Sequence, residues 1–121
     1  MNPNNNEIGA GAKWPAMINH ADNDGKMAYK DIKDFIQSNG AVTKYDATYV
    51  MNYCSVGSSW IGFDDVEVAK IKVSYAREKN LLGYYAWHVA NDDQNWVLSQ
   101  AAGQYILSVI YLYLRLKMNL A

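Results

Sequence analysis

Cysteine, histidine and proline are scarce in this chain, which has one Cys, two His and two Pro among 121 residues. The single cysteine, Cys54, excludes an internal disulfide and a zinc site built from several thiolates. It lies in a strand-like run, which indicates a buried small apolar side chain. His20 and His88 lack the HExxH spacing of a metal hydrolase. We therefore expect no metal and no cofactor.

An excess of charge of one sign is also missing. Eleven basic residues face twelve acidic ones, so no basic surface predicts a nucleic-acid partner. The start, MNPNNNEIGAG, has neither the charged nor the apolar region of a secretory signal peptide. At this length the chain is long enough for one core and too short for two full domains.

Aromatic residues, in contrast, are abundant, with ten Tyr and four Trp. Such rings suit cores, interfaces and sugar platforms alike. The stretch Leu81–Asp93, LLGYYAWHVANDD, is the most informative one. Its first nine residues predict a buried strand, in which Gly83 would lie where the backbone is crowded. Trp87 comes near the strand's end, before acidic loop residues, and this order predicts a ligand floor.

The first half of the chain predicts an α+β unit. Two short strands, Ala16–Ile18 and Lys26–Met27, suggest a hairpin. Apolar spacing predicts an amphipathic helix from about Ala28 to Ser38, ended by Asn39-Gly40, with its Lys and Asp residues on a solvated face. Three β-rich runs between Ala41 and Phe63 predict a small antiparallel sheet.

The pattern changes at Asp64, after which Asp64–Gln104 has the order helix, strand, helix. Asp64 or Asp65 is the expected N-cap of the first helix, with Glu67 near N3 as in a capping box. Asp92 or Asp93 can cap the last helix. A catalytic carboxylate pair is the competing interpretation, but their place after a strand favours capping or contacts at a barrel rim.

The apolar tail, YILSVIYLYL, lies within residues 105–121. Ten residues are short of the ~20 that a membrane-spanning helix needs. We expect the tail to extend the last helix, and a truncated membrane anchor is the alternative.

Several runs together carry a family resemblance: DGKMAYKDIKDFIQSNGA, YVMNYC and WIGFDDVEVAKIKVSYAREKNLLGYYAWHVANDD. They resemble the C-terminal part of family 18 glycoside hydrolases, in particular plant class V chitinases and the chitinase-like ectodomains of some plant receptor kinases. The resemblance implies a (β/α)8 TIM barrel with an α+β insertion domain. It also implies that this chain holds an incomplete barrel.

On that resemblance the chain divides into three parts. Residues 1–63 would be a partial insertion domain, and residues 64–104 would be barrel helix seven, strand eight and helix eight. Residues 105–121 would be the apolar helical tail. Met1 would then fall inside a family segment, as in a truncated gene product or a partial gene model.

The resemblance assigns one substrate-binding residue and no catalytic residue. Trp87 matches the tryptophan that, in the family, forms the floor beneath the sugar to be cleaved. His88 follows the family pattern too, but strand alternation would place it on the opposite face, so we interpret it as structural. The family's catalytic acid ends a DxxDxDxE motif, and nothing in this sequence matches that motif.

The expected function follows from these residues. The resemblance implies binding of chitin or N-acetylglucosamine oligomers and, in the parent family, hydrolysis of their β-1,4 bonds outside the cell or in the vacuole. Without the acid, we expect this chain alone to be inactive. Two alternatives remain open: a non-catalytic chitin-binding remnant, and a truncated ectodomain of a receptor-like kinase.

Overall fold

The structure, a computed structural model, describes residues 5–12, 15 and 25–104. Its regular elements form two helices around a sheet, followed by a short 3-10 turn and a final helix. In chain order they are α1 (Tyr29–Asn39), β1 (Lys44–Asp46), β2 (Met51–Val56), β3 (Ser59–Phe63), α2 (Val66–Glu78), the turn Val89–Asn91 and α3 (residues 97–104).

Helix α1 lies one residue further along the chain than predicted, at both ends. Its C-cap is Gly40, whose φ of 57° is the left-handed conformation that a residue without a side chain adopts at low cost. The Gly40 N–H donates to carbonyls of the last helical turn. The predicted end of this helix at Asn39-Gly40 is therefore confirmed.

The predicted antiparallel sheet is also confirmed. Strands β1, β2 and β3 lie side by side in that order, and Cys54 pairs with Ile61 at the centre of the β2–β3 ladder. The two strands are joined by a two-residue turn in which Gly57 has a φ of 57°. Between β1 and β2, the side chain of Asp46 accepts hydrogen bonds from two backbone N–H groups, as an Asx turn does.

The core of this unit contains residues from β2 and both helices. Cys54 and Val68 are each 1% exposed, and Ile32 of α1 is buried as well. Tyr53 is buried and stacks on Trp60 with 5.6 Å between ring centroids. The prediction of a buried, structural Cys54 is thus confirmed, and burial raises the pKa of its thiol.

Helix α2 begins at an aspartate, as predicted, but not with a capping box. Asp65 is the N-cap, and its side chain accepts a 2.9 Å hydrogen bond from the Val68 N–H. Glu67 is then the second helical residue and cannot reach back to the cap. It pairs instead with Lys70 at 2.7 Å, one turn along the helix.

The predicted strand Leu81–Val89 is not formed. After α2 the chain is irregular until the turn Val89–Asn91, and residues 81–90 are all exposed. No backbone N–H of residues 82–87 bonds to another described residue. A strand has no hydrogen bonds within itself, so it needs a neighbouring strand, and the described residues provide none here. Gly83 likewise meets no crowding, because a Cβ built on it has nothing within 4 Å.

Two further predictions concern the N-terminal hairpin and the apolar tail. Lys26–Met27 is irregular, so its part of the predicted hairpin is wrong, and Ala16–Ile18 lies outside the described residues. The tail, residues 105–121, lies outside them too. Among the helices that are described, none is long and apolar enough to cross a membrane.

Candidate functional site

Asp92 forms the cap of helix α3. One carboxylate oxygen accepts hydrogen bonds from the N–H groups of Asp93 (2.8 Å) and Leu98 (3.2 Å). The other accepts from the N–H (2.8 Å) and hydroxyl (2.7 Å) of Ser99. The first N–H groups of a helix have no partner within it, so this buried carboxylate satisfies them. The capping interpretation of Asp92 is confirmed.

Asp93 caps the same helix and also reaches a distant one. Its Oδ1 accepts from the N–H groups of Asn95 (2.9 Å) and Val97 (3.2 Å). Its Oδ2 lies 2.5 Å from the Nζ of Lys33, in α1. The Asp93 side chain is 2% exposed and that of Lys33 is 46% exposed. Asp93 therefore connects the first helix of the chain to the last described one.

The electrostatics of these groups exclude them as proton donors at neutral pH. Burial raises the pKa of Asp92, but hydrogen bonds from Ser99, Asp93 and Leu98 together outweigh it and lower the pKa below 3.8. The hydrogen bond from Lys33 is the main cause that lowers the pKa of Asp93, and the same bond raises that of Lys33. A general acid needs a raised carboxyl pKa, so neither aspartate fits that role.

Trp87 is exposed at 73% of its surface, so it is not a core residue. Its ring contacts are with its own chain neighbours: Tyr85 at 6.3 Å between centroids, and His88 at 5.7 Å, edge to face. Tyr85 is 80% exposed. Two large rings thus offer flat apolar surface to solvent at one place in the chain.

The prediction for His88 was wrong in its geometry. Alternation along a strand would have separated its ring from that of Trp87, but there is no strand at this point. The two rings are in contact, and His88 is exposed. Its carbonyl accepts a 3.0 Å hydrogen bond from the Asn91 N–H, which begins the turn Val89–Asn91.

Lys33 is the residue that the sequence interpretation missed. Helical spacing placed it on a solvated face of α1, whereas the structure pairs it with an aspartate 60 residues away. It also lies 5.2 Å from the centre of the Tyr29 ring. No local signal identifies such a pair, because the helical pattern reports which face is polar and not what that face meets.

Metal chemistry finds no support in the part of the chain that is described. No group of three His, Cys, Asp or Glu side chains there could hold an ion. The thiol of Cys54 is buried and its pKa is raised, which is the opposite of what a nucleophilic cysteine needs.

Comparison with protein families gives a match over residues 2–92 to "Glycosyl hydrolases family 18". The matched range includes Trp87 and the whole sheet, and it is three quarters of the chain. The chain belongs to glycosyl hydrolases family 18.

Individual relatives within family 18 are plant chitinases. The chain is 49% identical over 81 residues to a class V chitinase from Arabidopsis thaliana, which covers 67% of this chain and 21% of that protein. A mutant class V chitinase from Nicotiana tobaccum, solved in complex with NAG4, is 47% identical with a TM-score of 0.66. The match covers 73% of this chain and 25% of that one.

A third relative is more similar in structure and less similar in sequence. A mutant class V chitinase from Cycas revoluta, solved in complex with (GlcNAc)3, has a TM-score of 0.73 at 33% identity. The match covers 86% of this chain and 28% of the Cycas revoluta chain. The predicted resemblance to plant class V chitinases is confirmed, and the TIM-barrel family with it. This chain spans about a quarter of the length of these relatives.

Proposed function

We propose that this chain is the chitooligosaccharide-binding C-terminal part of a chitinase-like family 18 protein, with Trp87 as its sugar platform. The observation that carries this proposal is the 73% exposure of Trp87, within the range that matches the family. With the exposed ring of Tyr85 beside it, this indole forms an apolar patch of the kind that ligands cover. The relatives solved with NAG4 and (GlcNAc)3 support that class of ligand.

Stacking explains why a tryptophan suits this role. One face of a β-linked pyranose ring carries axial C–H groups and is apolar, and an indole presents a flat apolar face of matching size. Tyr85, 6.3 Å away, extends the aromatic surface beside it. Binding would bury both faces, and hydrophobic burial contributes about 25 cal/mol per Å².

The proposed fold assignment follows the family resemblance seen in the sequence. Residues 1–63 would belong to the α+β insertion domain, and α2 (Val66–Glu78) would be barrel helix seven. Residues 81–89 would be barrel strand eight, and α3 would begin barrel helix eight. Residues 81–90 form no strand in the described structure, and in the whole barrel strand eight would obtain its ladder hydrogen bonds from neighbouring strands.

We assign hydrolysis to the whole family 18 protein and not to these 121 residues. The mechanism that the resemblance implies is substrate-assisted: the N-acetyl group attacks the anomeric carbon while a glutamic acid protonates the leaving oxygen. The sequence contains no DxxDxDxE motif, and Asp92 and Asp93 have lowered pKa values. A positioned acid contributes about 10²–10⁴-fold to such a step.

The prediction for activity is therefore negative for the isolated chain. Purified chain incubated with a fluorogenic chitotriose substrate should release no more fluorophore than buffer alone. A full-length plant class V chitinase provides the positive control. Turnover near that of the control would show that these residues hold a proton donor, and it would overturn the assignment.

Binding is tested by tryptophan signals. The chain has four tryptophans, so a ¹H–¹⁵N spectrum should show four indole N–H signals, assigned by Trp→Phe variants. Chitohexaose should shift the Trp87 signal, and Trp87→Ala should abolish binding. Trp96→Ala is the matched control, because Trp96 is also exposed, at 50% of its surface. Titration without any change in the wild type would remove the proposal.

The second candidate is a non-catalytic chitin-binding remnant, which the exposed Trp87 favours. It predicts binding without turnover even in the longest natural product of the gene.

A receptor-like ectodomain is the third candidate, and a transcript that continues into a membrane span and a kinase would support it. For the parent protein we propose an extracellular or vacuolar location, which a C-terminal fluorescent fusion would test.

A further inference from the structure

The turn that follows Trp87 is tied to helix α1. Lys33 of α1 and Asp93 form an ion pair with 2.5 Å between Nζ and Oδ2. Asp93 is nearly buried, and its other oxygen is held by the N–H groups of Asn95 and Val97. The charged bond therefore fixes one definite orientation of this carboxylate, because all its near neighbours are donors.

Three local hydrogen bonds order the short stretch of chain between this pair and Trp87. The Asp93 N–H donates to the Asp92 side chain, and the Asp92 N–H donates to the Val89 carbonyl at 3.1 Å. The Asn91 N–H donates to the carbonyl of His88, which is the residue bonded to Trp87. These bonds order residues 88–93 as one turn, so the place where Asp93 is held bears on the place where the chain leaves Trp87.

Trp87 has little else to hold it. Among the described residues its ring contacts are Tyr85 and His88, its own neighbours in the chain. No backbone N–H of residues 82–87 is hydrogen bonded to the described structure. The turn on its C-terminal side is thus the ordered connection between the indole and the folded part of the molecule.

Lys33 also makes a contact within its own helix, α1. Its ammonium group lies 5.2 Å from the centre of the Tyr29 ring, within the range of a cation–π contact. Tyr29 and Lys33 are one helical turn apart on α1, so the helix itself fixes their spacing. Both partners of this contact are therefore attached to one formed helix, which limits where the ammonium group can lie.

We propose that Lys33 and Asp93 are positioning residues for Trp87. The ion pair holds the turn after Trp87 against helix α1, and breaking it turns the indole away from the orientation that binds N-acetylglucosamine oligomers. The effect on sugar binding rests on the function proposed above. The effect on the indole's orientation does not, and it is measured without sugar.

The test compares two equally exposed lysines, one paired with the buried Asp93 and one with the partly exposed Asp64. Lys33 and Lys72 have side chains that are each 46% exposed, and each pairs with an aspartate, Asp93 or Asp64. Lys33→Met should move the Trp87 indole signal in the sugar-free chain and weaken chitohexaose binding by about fivefold, the lower end of typical coupling between sites. Lys72→Met should do neither. Lys33→Arg, which restores a cation, should return both readings toward the wild type.

A second variant removes the other half of the pair. Asp93→Asn abolishes the charge but keeps an acceptor oxygen for the N–H groups of Asn95 and Val97, so it preserves the cap even where Lys33→Met destabilises the chain. Its Trp87 shift should equal that of Lys33→Met, and the double variant should add nothing. Additive shifts would overturn the proposal.

The remaining outcomes separate the two proposals. An unmoved Trp87 signal in both single variants, with the other indole signals unchanged, overturns the positioning role. A moved Trp87 signal in a chain whose wild type binds no chitohexaose supports the positioning role and refutes the proposed function instead.

Discussion

Two neighbouring regions of this chain differ sharply in structure. Residues 25–80 fold into α1, the three-stranded sheet and α2, and they bury Cys54 and Val68 almost completely. Residues 81–90 are more apolar than that region, but every one of them is exposed and none belongs to a strand. Apolar composition alone therefore does not determine burial in this protein.

The difference lies in where the partners of each region come from. The sheet obtains its hydrogen bonds from strands joined by short turns, and the helices obtain theirs from within themselves. Within the described structure, no backbone N–H of residues 82–87 finds such a partner, and Leu81 donates only to the Ala76 carbonyl of α2. The region that carries the proposed sugar platform is thus the one least held by its own chain, apart from the turn fastened by Lys33 and Asp93.

The largest expected effect comes from the same substitution, valine to aspartate, made once in each of the two regions. Val68→Asp places an unpaired charge in the core, where Val68 is 1% exposed, and should cost on the order of 3–5 kcal/mol of unfolding free energy. Val89→Asp, at a residue that is 50% exposed, should change it by less than about 0.5 kcal/mol. Urea unfolding followed by circular dichroism measures both, and equal losses would mean that residues 81–90 are buried after all.

A smaller effect concerns the segment that follows residues 81–90, where Asp92 caps α3. Asp92→Asn should cost about 1–2 kcal/mol, because an amide cannot accept all four hydrogen bonds. Asp34→Ala on the exposed face of α1 is the control and should change the unfolding free energy by less than about 0.5 kcal/mol.

The same aspartate predicts the direction of the pH dependence. A lowered pKa means that the stabilisation is fully present above the unfolded value of 3.8 and is lost as pH falls through the folded value. The Tm of the wild type should therefore fall more steeply in acid than that of Asp92→Asn. Parallel curves from about pH 6 to pH 2 would show that this carboxylate contributes no pH-dependent stability.

The smallest expected effect is the difference in stability between alanine substitutions at two glycines, one in each region. A Cβ added to Gly57 or to Gly83 meets nothing within 4 Å, so contacts do not distinguish them. Gly57 has a φ of 57° and Gly83 does not lie in the left-handed region. Gly57→Ala should cost about 1 kcal/mol, whereas Gly83→Ala should be close to neutral. Equal costs in thermal unfolding would indicate that Gly83 belongs to a fixed conformation too.

Much of the fold was predictable because its signals are local. The glycine after α1, the aspartate before α2 and the turn between β2 and β3 each act within a few residues of where they stand. The family and the position of Trp87 followed from the same stretch of sequence. Glu67 shows how precisely such signals locate a helix cap. The capping box predicted a backbone partner for its side chain, but the cap position differs by one residue and the partner is Lys70.

The sequence by itself determined the two helices, the antiparallel sheet, the buried cysteine and the membership of family 18, since each depends on neighbours in the chain or on motif order. The tertiary structure alone decided that residues 81–89 form no strand and that Lys33 meets Asp93. The physical reason is that a strand's hydrogen bonds and an ion pair across 60 residues are both made with distant partners. No local pattern can report whether such partners are in place.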